Sequence, residues 1–208
     1  MKSAVLLCLA AGFLLGGCMM SGKDLQSELE GRVNDAPTPN AFDVCYAHGC
    51  SKSVAVSLTP TEWADVTYVF NTPAVNARDE RRQLAYALAR VEQIVGEQTG
   101  LSSDVGGSFN GMGKSGPQLD CVDEMLNTAT YLAMFERERR LKFHAPHRRV
   151  TQSFFANRGI WPHTVSTILE EPSGTEYVID MWIKDHGELP YIMPIADWDD
   201  GKPLAYHY

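Results

Sequence analysis

Asp120-Cys121-Val122-Asp123-Glu124-Met125-Leu126-Asn127-Thr128-Ala129-Thr130-Tyr131-Leu132-Ala133 is the stretch on which the fold turns. Val122, Met125, Leu126, Ala129, Leu132 and Ala133 recur at helical spacing, which predicts a helix from Cys121 to about Arg139 with one apolar stripe. Asp120 is its N-cap, and residues 99–118, rich in Gly and Ser, read as a long loop leading into it. The loop's Gly113-Lys114-Ser115 is no phosphate loop, because Ser108 stands where that motif needs glycine. Downstream, His163–Leu169 and Glu176–Trp182 alternate as strands around a turn at Glu171-Pro172-Ser173-Gly174.

Upstream, residues 53–58 read as a strand. Thr59-Pro60-Thr61-Glu62 carries the capping-box signature of a helix start, with Trp63, Val66 and Phe70 on one face. A further helix is expected from about Ala77 to Val95, striped by Leu84, Leu88, Val91 and Val95. Leu141–His144 reads as a short strand and residues 145–161 as irregular. The tail predicts a helical turn near Ile195–Trp198.

The N-terminus belongs to a different physics. Lys2 precedes an apolar run, Ala4 to Gly17, which at roughly 14 residues is shorter than the about 20 needed to span a bilayer. A basic start, a short apolar stretch and small residues at its end make a secretory signal. Leu15-Gly16-Gly17-Cys18 resembles the lipobox of bacterial lipoproteins, which implies cleavage before Cys18 and acylation of its thiol. The expected organisation is a signal peptide over 1–17, a lipid-anchored tether over 18–41 and a single domain over 42–208. Met19 after the cysteine implies, by the same resemblance, the outer membrane facing the periplasm. The bilayer is then one partner, held through the acyl chains.

The chain has 208 residues, 44% apolar, with a formal net charge of −8. That length suits one compact domain, and the acidic balance excludes a nucleic-acid partner, whose phosphates call for clustered Lys and Arg. The five cysteines cannot all be paired. Cys45 and Cys50 are expected to bridge a small loop in an oxidising compartment. With His48, and His144 or His147 as a fourth ligand, they could alternatively hold zinc.

That leaves Cys121 as a free thiol at a helix N-terminus, where the dipole favours the thiolate a cysteine hydrolase needs. His163, at the start of a strand, is the candidate general base. Asp180, inside the next strand, is the candidate to orient it, the alternative being an ion pair with Arg148 or Arg158. Gln118 is the candidate oxyanion donor. Trp161 and Trp182 flank His163 and Asp180, either walling a cleft or packing in the core.

The segments Asp120-Cys121-Val122-Asp123-Glu124, Pro162-His163-Thr164 and Val178-Ile179-Asp180-Met181-Trp182, in that order, resemble the transglutaminase-like superfamily, in particular its bacterial cysteine proteinases. The resemblance covers residues 78–185. It implies an α+β, papain-like core with helices on a small antiparallel sheet and the cysteine at a helix N-terminus. It also implies thiol acyl transfer by Cys121, His163 and Asp180, as a cysteine peptidase or amidase acting on a periplasmic protein or cell-wall peptide. No cofactor is expected, although Asp120, Asp123 and Glu124 could cap the helix, contact a basic substrate, or bind Ca2+, a cation that some members of the superfamily bind. Two rivals remain open. One is a cell-wall endopeptidase of another cysteine-hydrolase family. The other is a non-catalytic binding or assembly lipoprotein that retains the fold, favoured by the acidic surround of Cys121.

Overall fold

A computed structural model describes residues 24–108, 117–152 and 162–208. The signal peptide, Cys18, Gly113-Lys114-Ser115, Arg158 and Trp161 lie outside the described residues. The fold is α+β, with several helices packed against two small antiparallel sheets.

The first sheet is a hairpin of β1 (Phe42–Tyr46) and β2 (Lys52–Val56), with Val44 opposite Val54. The second is a four-stranded meander in the order β3 (His144–Gln152), β4 (His163–Glu170), β5 (Thr175–Asp180) and β6 (Tyr191–Pro194). Between them lie α2 (Pro60–Thr67), α3 (Ala77–Thr99) and α4 (Cys121–Arg137). The capping box expected at Thr59 forms, with Glu62 returning to the Thr59 backbone N–H at 2.7 Å. Trp63 from α2 stacks on Phe135 of α4 at 5.5 Å and donates its indole N–H to Glu138.

The apolar stripes of α3 and α4 form the main core together with Ile168 and Ile179 of the meander. The α3 helix runs one turn beyond the expected end and stops at Gly100, whose φ of 82° is the left-handed geometry of a C-cap. Gly96 is inside the helix, packed against His186.

Two segments differ from expectation. Residues 24–41, read as tether, fold back on the domain. Asp24 caps α1 (Leu25–Leu29), and Leu25 and Leu29 are buried one turn apart in the main core. Glu28 of that turn is buried and pairs with Arg149 at 3.2 Å. Residues 145–152, read as irregular, belong to β3. The sequence signal is obscured by Pro146, by the consecutive Arg148 and Arg149, and by a register shift between Pro146 and Arg149. An edge strand tolerates all three, because proline's missing N–H and a bulge cost least there. Arg148 then reaches across β4 to Glu176 at 2.8 Å. At the C-terminus α5 (Ile195–Asp199) closes the second, smaller core of Val150, Val165, Val178, Met193 and Trp198.

Candidate functional site

The start of α4, the start of β4 and the end of β5 meet at one place. Ser166 pairs with Ile179, and the same register carried one step sets Val165 opposite Asp180. His163, two residues back on the same face, is therefore the diagonal neighbour of Asp180. The contact is made: His163 Nε2 lies 2.7 Å from Asp180 Oδ2, with His163 3% exposed and Asp180 fully buried. Burial opposes charge on the imidazole, but the Asp180 carboxylate overrides it, and the nearby Cys121 sulfur adds to the effect. The pKa is pushed up to about 10. Trp182 and Trp198 enclose the ring, with centroids 4.9 and 6.0 Å away. Asp180 is not the partner of Arg148, which is taken by Glu176.

Cys121 is a free, partly exposed thiol on the first turn of α4. Its sulfur is hydrogen-bonded to the Pro162 carbonyl oxygen at 3.8 Å. His163 Nδ1, the nitrogen a triad would aim at the thiol, has no hydrogen-bond partner among the described residues. Cys121, His163 and Asp180 are thus brought together, without an aligned thiol–imidazole bond.

The disulfide between Cys45 and Cys50 forms, which removes both from thiol chemistry and from the zinc alternative. His144, offered as a fourth zinc ligand, is held instead by Glu80 at 2.9 Å. The loop that the disulfide closes lies on the start of α4. Residues Ala47, His48, Gly49 and Cys50 all have positive φ, a conformation costing L-residues roughly 1–2 kcal/mol each. The backbone N–H groups of His48 and Cys50 donate to the Asp123 carboxylate at 2.8 and 2.6 Å, and that of Gly49 to Asp120 at 2.9 Å. The same two carboxylates cap α4 reciprocally: Asp120 accepts from Val122 N and Asp123 N, and Asp123 from Asp120 N. Burial and the charge of Asp120 push the Asp123 carboxyl up to about 6.

These findings correct the cysteine-hydrolase expectation, and with it the enzyme, cysteine-protease and catalytic-triad assignments. Cys45 is locked to Cys50, and the disulfide-closed loop is clamped onto the helix start whose positive end was to favour the Cys121 thiolate. Two carboxylates already use that end, and a thiolate would be a third anion beside them. Gln118 supplies no oxyanion donor: its side chain is buried, with its NH2 on the Ser103 and Pro117 carbonyls and its oxygen accepting from Val105 N.

Nor do the three acids of this turn form one cation site. Asp120 and Asp123 face the disulfide loop. Glu124 instead gathers with Glu92 of α3 and His186 of the loop after β5, with one ligand atom of each within 4.8 Å of the others. A His/Glu/Glu cluster able to coordinate a metal ion is therefore present, and sequence reasoning missed two of its three members. Glu92 lies mid-helix beside the apolar stripe, and His186 sits in a loop without a motif, so spacing carried no signal.

Comparison with protein-family models, with curated proteins and with solved structures finds no match.

Proposed function

We propose that the chain is a lipid-anchored envelope protein whose transglutaminase-like domain serves as a non-catalytic binding or assembly module for a periplasmic protein or peptide. The observation that carries this reading is the disulfide-closed loop at residues 45–50, fixed in a left-handed turn by Asp120 and Asp123. The arrangement packs a rigid loop over the start of α4, with the fully buried Asp123 carboxylate holding it there, instead of leaving a thiolate pocket. The acidic balance of the chain argues against a nucleic-acid partner. The order of Cys121, His163 and Asp180 along the chain supports the transglutaminase-like architecture. In this reading the His163–Asp180 pair ties β4 to β5. The lipobox-like Leu15-Gly16-Gly17-Cys18 supports the anchor and the outer-membrane location. No helix among the described residues is long and apolar enough to cross a membrane, which is compatible with attachment by lipid.

The test is turnover of a p-nitrophenyl ester by the mature protein, by Cys121→Ala and by His163→Ala. A binding module hydrolyses the ester no faster than free cysteine, at a rate that neither substitution changes. Turnover that requires both Cys121 and His163 refutes the proposal.

A further inference from the structure

Glu92 of α3, Glu124 of α4 and His186 of the loop after β5 meet in the protein interior. Glu92 is 1% exposed and Glu124 3%, and the His186 side chain is equally enclosed. Each carries a polar atom without a hydrogen-bond partner among the described residues: Glu92 Oε1, Glu124 Oε2 and His186 Nδ1. Unpartnered buried carboxylate oxygens are costly, and two carboxylates facing each other in a dry site are more so.

The imidazole is oriented for a ligand. His186 Nε2 lies 2.9 Å from the Glu92 carbonyl oxygen, an acceptor only, so this nitrogen carries a proton and donates it. The other nitrogen, Nδ1, is left facing Glu92 Oε2 at 3.1 Å without an aligned bond. A histidine with one N–H on a backbone carbonyl and the other nitrogen turned toward carboxylate oxygens has the arrangement that fixes the tautomer of a metal ligand. Gly96 contributes by having no side chain: a Cβ there would come within 2.7 Å of the His186 ring, so glycine is what lets the ring lie against α3.

We propose that Glu92, Glu124 and His186 form a structural site for a first-row divalent cation, with Zn2+ as the best match. One nitrogen and two carboxylate oxygens are a zinc-type set, whereas Ca2+ takes six to eight oxygens. At bond lengths near 2.1 Å, tetrahedral ligands stand about 3.4 Å apart. The three atoms, within 4.8 Å of one another, need to close in by at most about 1.4 Å. The cation's charge would offset both carboxylates at once. The bound ion would tie α3, α4 and the β5–β6 loop together.

The experiment is calorimetric titration of the purified, chelator-stripped protein with ZnCl2 and CaCl2, alongside thermal unfolding with each salt and with EDTA. The expected result is one Zn2+ per chain, a melting temperature raised by Zn2+ and lowered again by EDTA, and little response to Ca2+. Glu124→Gln, which retains the side chain's size, weakens Zn2+ binding at least about 100-fold. His186→Gln does the same. Asp65→Asn, at an exposed carboxylate paired with Arg90, changes the affinity by no more than about twofold. Absence of stoichiometric Zn2+ binding, Zn2+ binding unaffected by Glu124→Gln, or preference for Ca2+ would each overturn the assignment.

Discussion

Replacing Asp180 by Asn removes a charge from the His163 pair while keeping a neutral acceptor in place. In the native protein the imidazole is raised from 6.5 to about 10, chiefly against the cost of burial and by the Asp180 carboxylate 2.7 Å away. At 1.36 kcal/mol per tenfold, that difference corresponds to about 5 kcal/mol. Breaking a buried ion pair costs about 3–5 kcal/mol, and since Asn still accepts a hydrogen bond, the lower end is expected. Because the folded-state value lies above the unfolded one, the pair's contribution is fully present below about pH 6.5 and is lost as the pH rises through about 10. Urea unfolding should therefore show Asp180→Asn less stable by about 3 kcal/mol at pH 6, with the gap to the native protein closing toward pH 10. The His163 Cε1 proton, followed by NMR, should titrate far above 6.5 in the native protein and below 6.5 in Asp180→Asn, where burial is left with little opposition. A native His163 titrating near 6.5, or an Asp180→Asn protein as stable as the native one at pH 6, would refute the reasoning.

Three further perturbations follow from the same interior. Cys50→Ser opens a loop of sequence separation 5 and should cost about 2 kcal/mol in urea unfolding under non-reducing conditions, a cost that vanishes when both proteins are reduced. Glu80 is buried and accepts backbone N–H bonds from Lys142, Phe143 and His144. Burial raises its carboxyl, but the bonds to His144, Lys142 and Phe143 outweigh that and hold it below 4.5, so its stabilisation is present above that pH and is lost as the pH falls through the lowered value. Glu80→Gln should destabilise by about 2–3 kcal/mol at pH 7, and acid unfolding should show that difference disappearing at low pH. Gly96→Ala puts a Cβ within 2.6 Å of Ser102 Oγ and 2.7 Å of the His186 ring. It should lower thermal stability by about 1–3 kcal/mol and weaken Zn2+ binding in calorimetry.

The parts of this fold written in short-range apolar period were legible. The helices of residues 77–99 and 121–137, the capping box at Thr59 and the hairpin of β4 and β5 all follow from local spacing, because each buries a face its own sequence defines. The His163–Asp180 contact was legible for the same reason, since hairpin register converts sequence spacing into proximity. What remained hidden was held by polar groups with distant partners. Strand β3 carries Pro146, Arg148 and Arg149, and its order comes from Glu176 and from Glu28 on the segment read as tether. Leu25 and Leu29 gave too short a pattern to stand out from a polar stretch, although Asp24 in front of them was a cap signal that could have been used.

The same blindness hid the interior charges. Glu80, Arg81 and Glu92 lie on α3 among alanines and leucines, and a count of apolar positions assigns them to solvent. Each is buried because its partner arrives from far along the chain: Glu80 meets His144, Arg81 meets Glu170 and Glu92 meets His186. A charged side chain enters a core only where something compensates it. At Glu80 and Arg81 the compensation is complete within the protein, with every contact named by a short hydrogen bond. At Glu92 it is not, since Oε1 and its neighbours Glu124 Oε2 and His186 Nδ1 are left without hydrogen bonds among the described residues. The Glu80 cluster holds a fixed cation, the Arg81 guanidinium, whereas the cluster of Glu92, Glu124 and His186 contains no Arg or Lys. The difference is what a bound cation would supply.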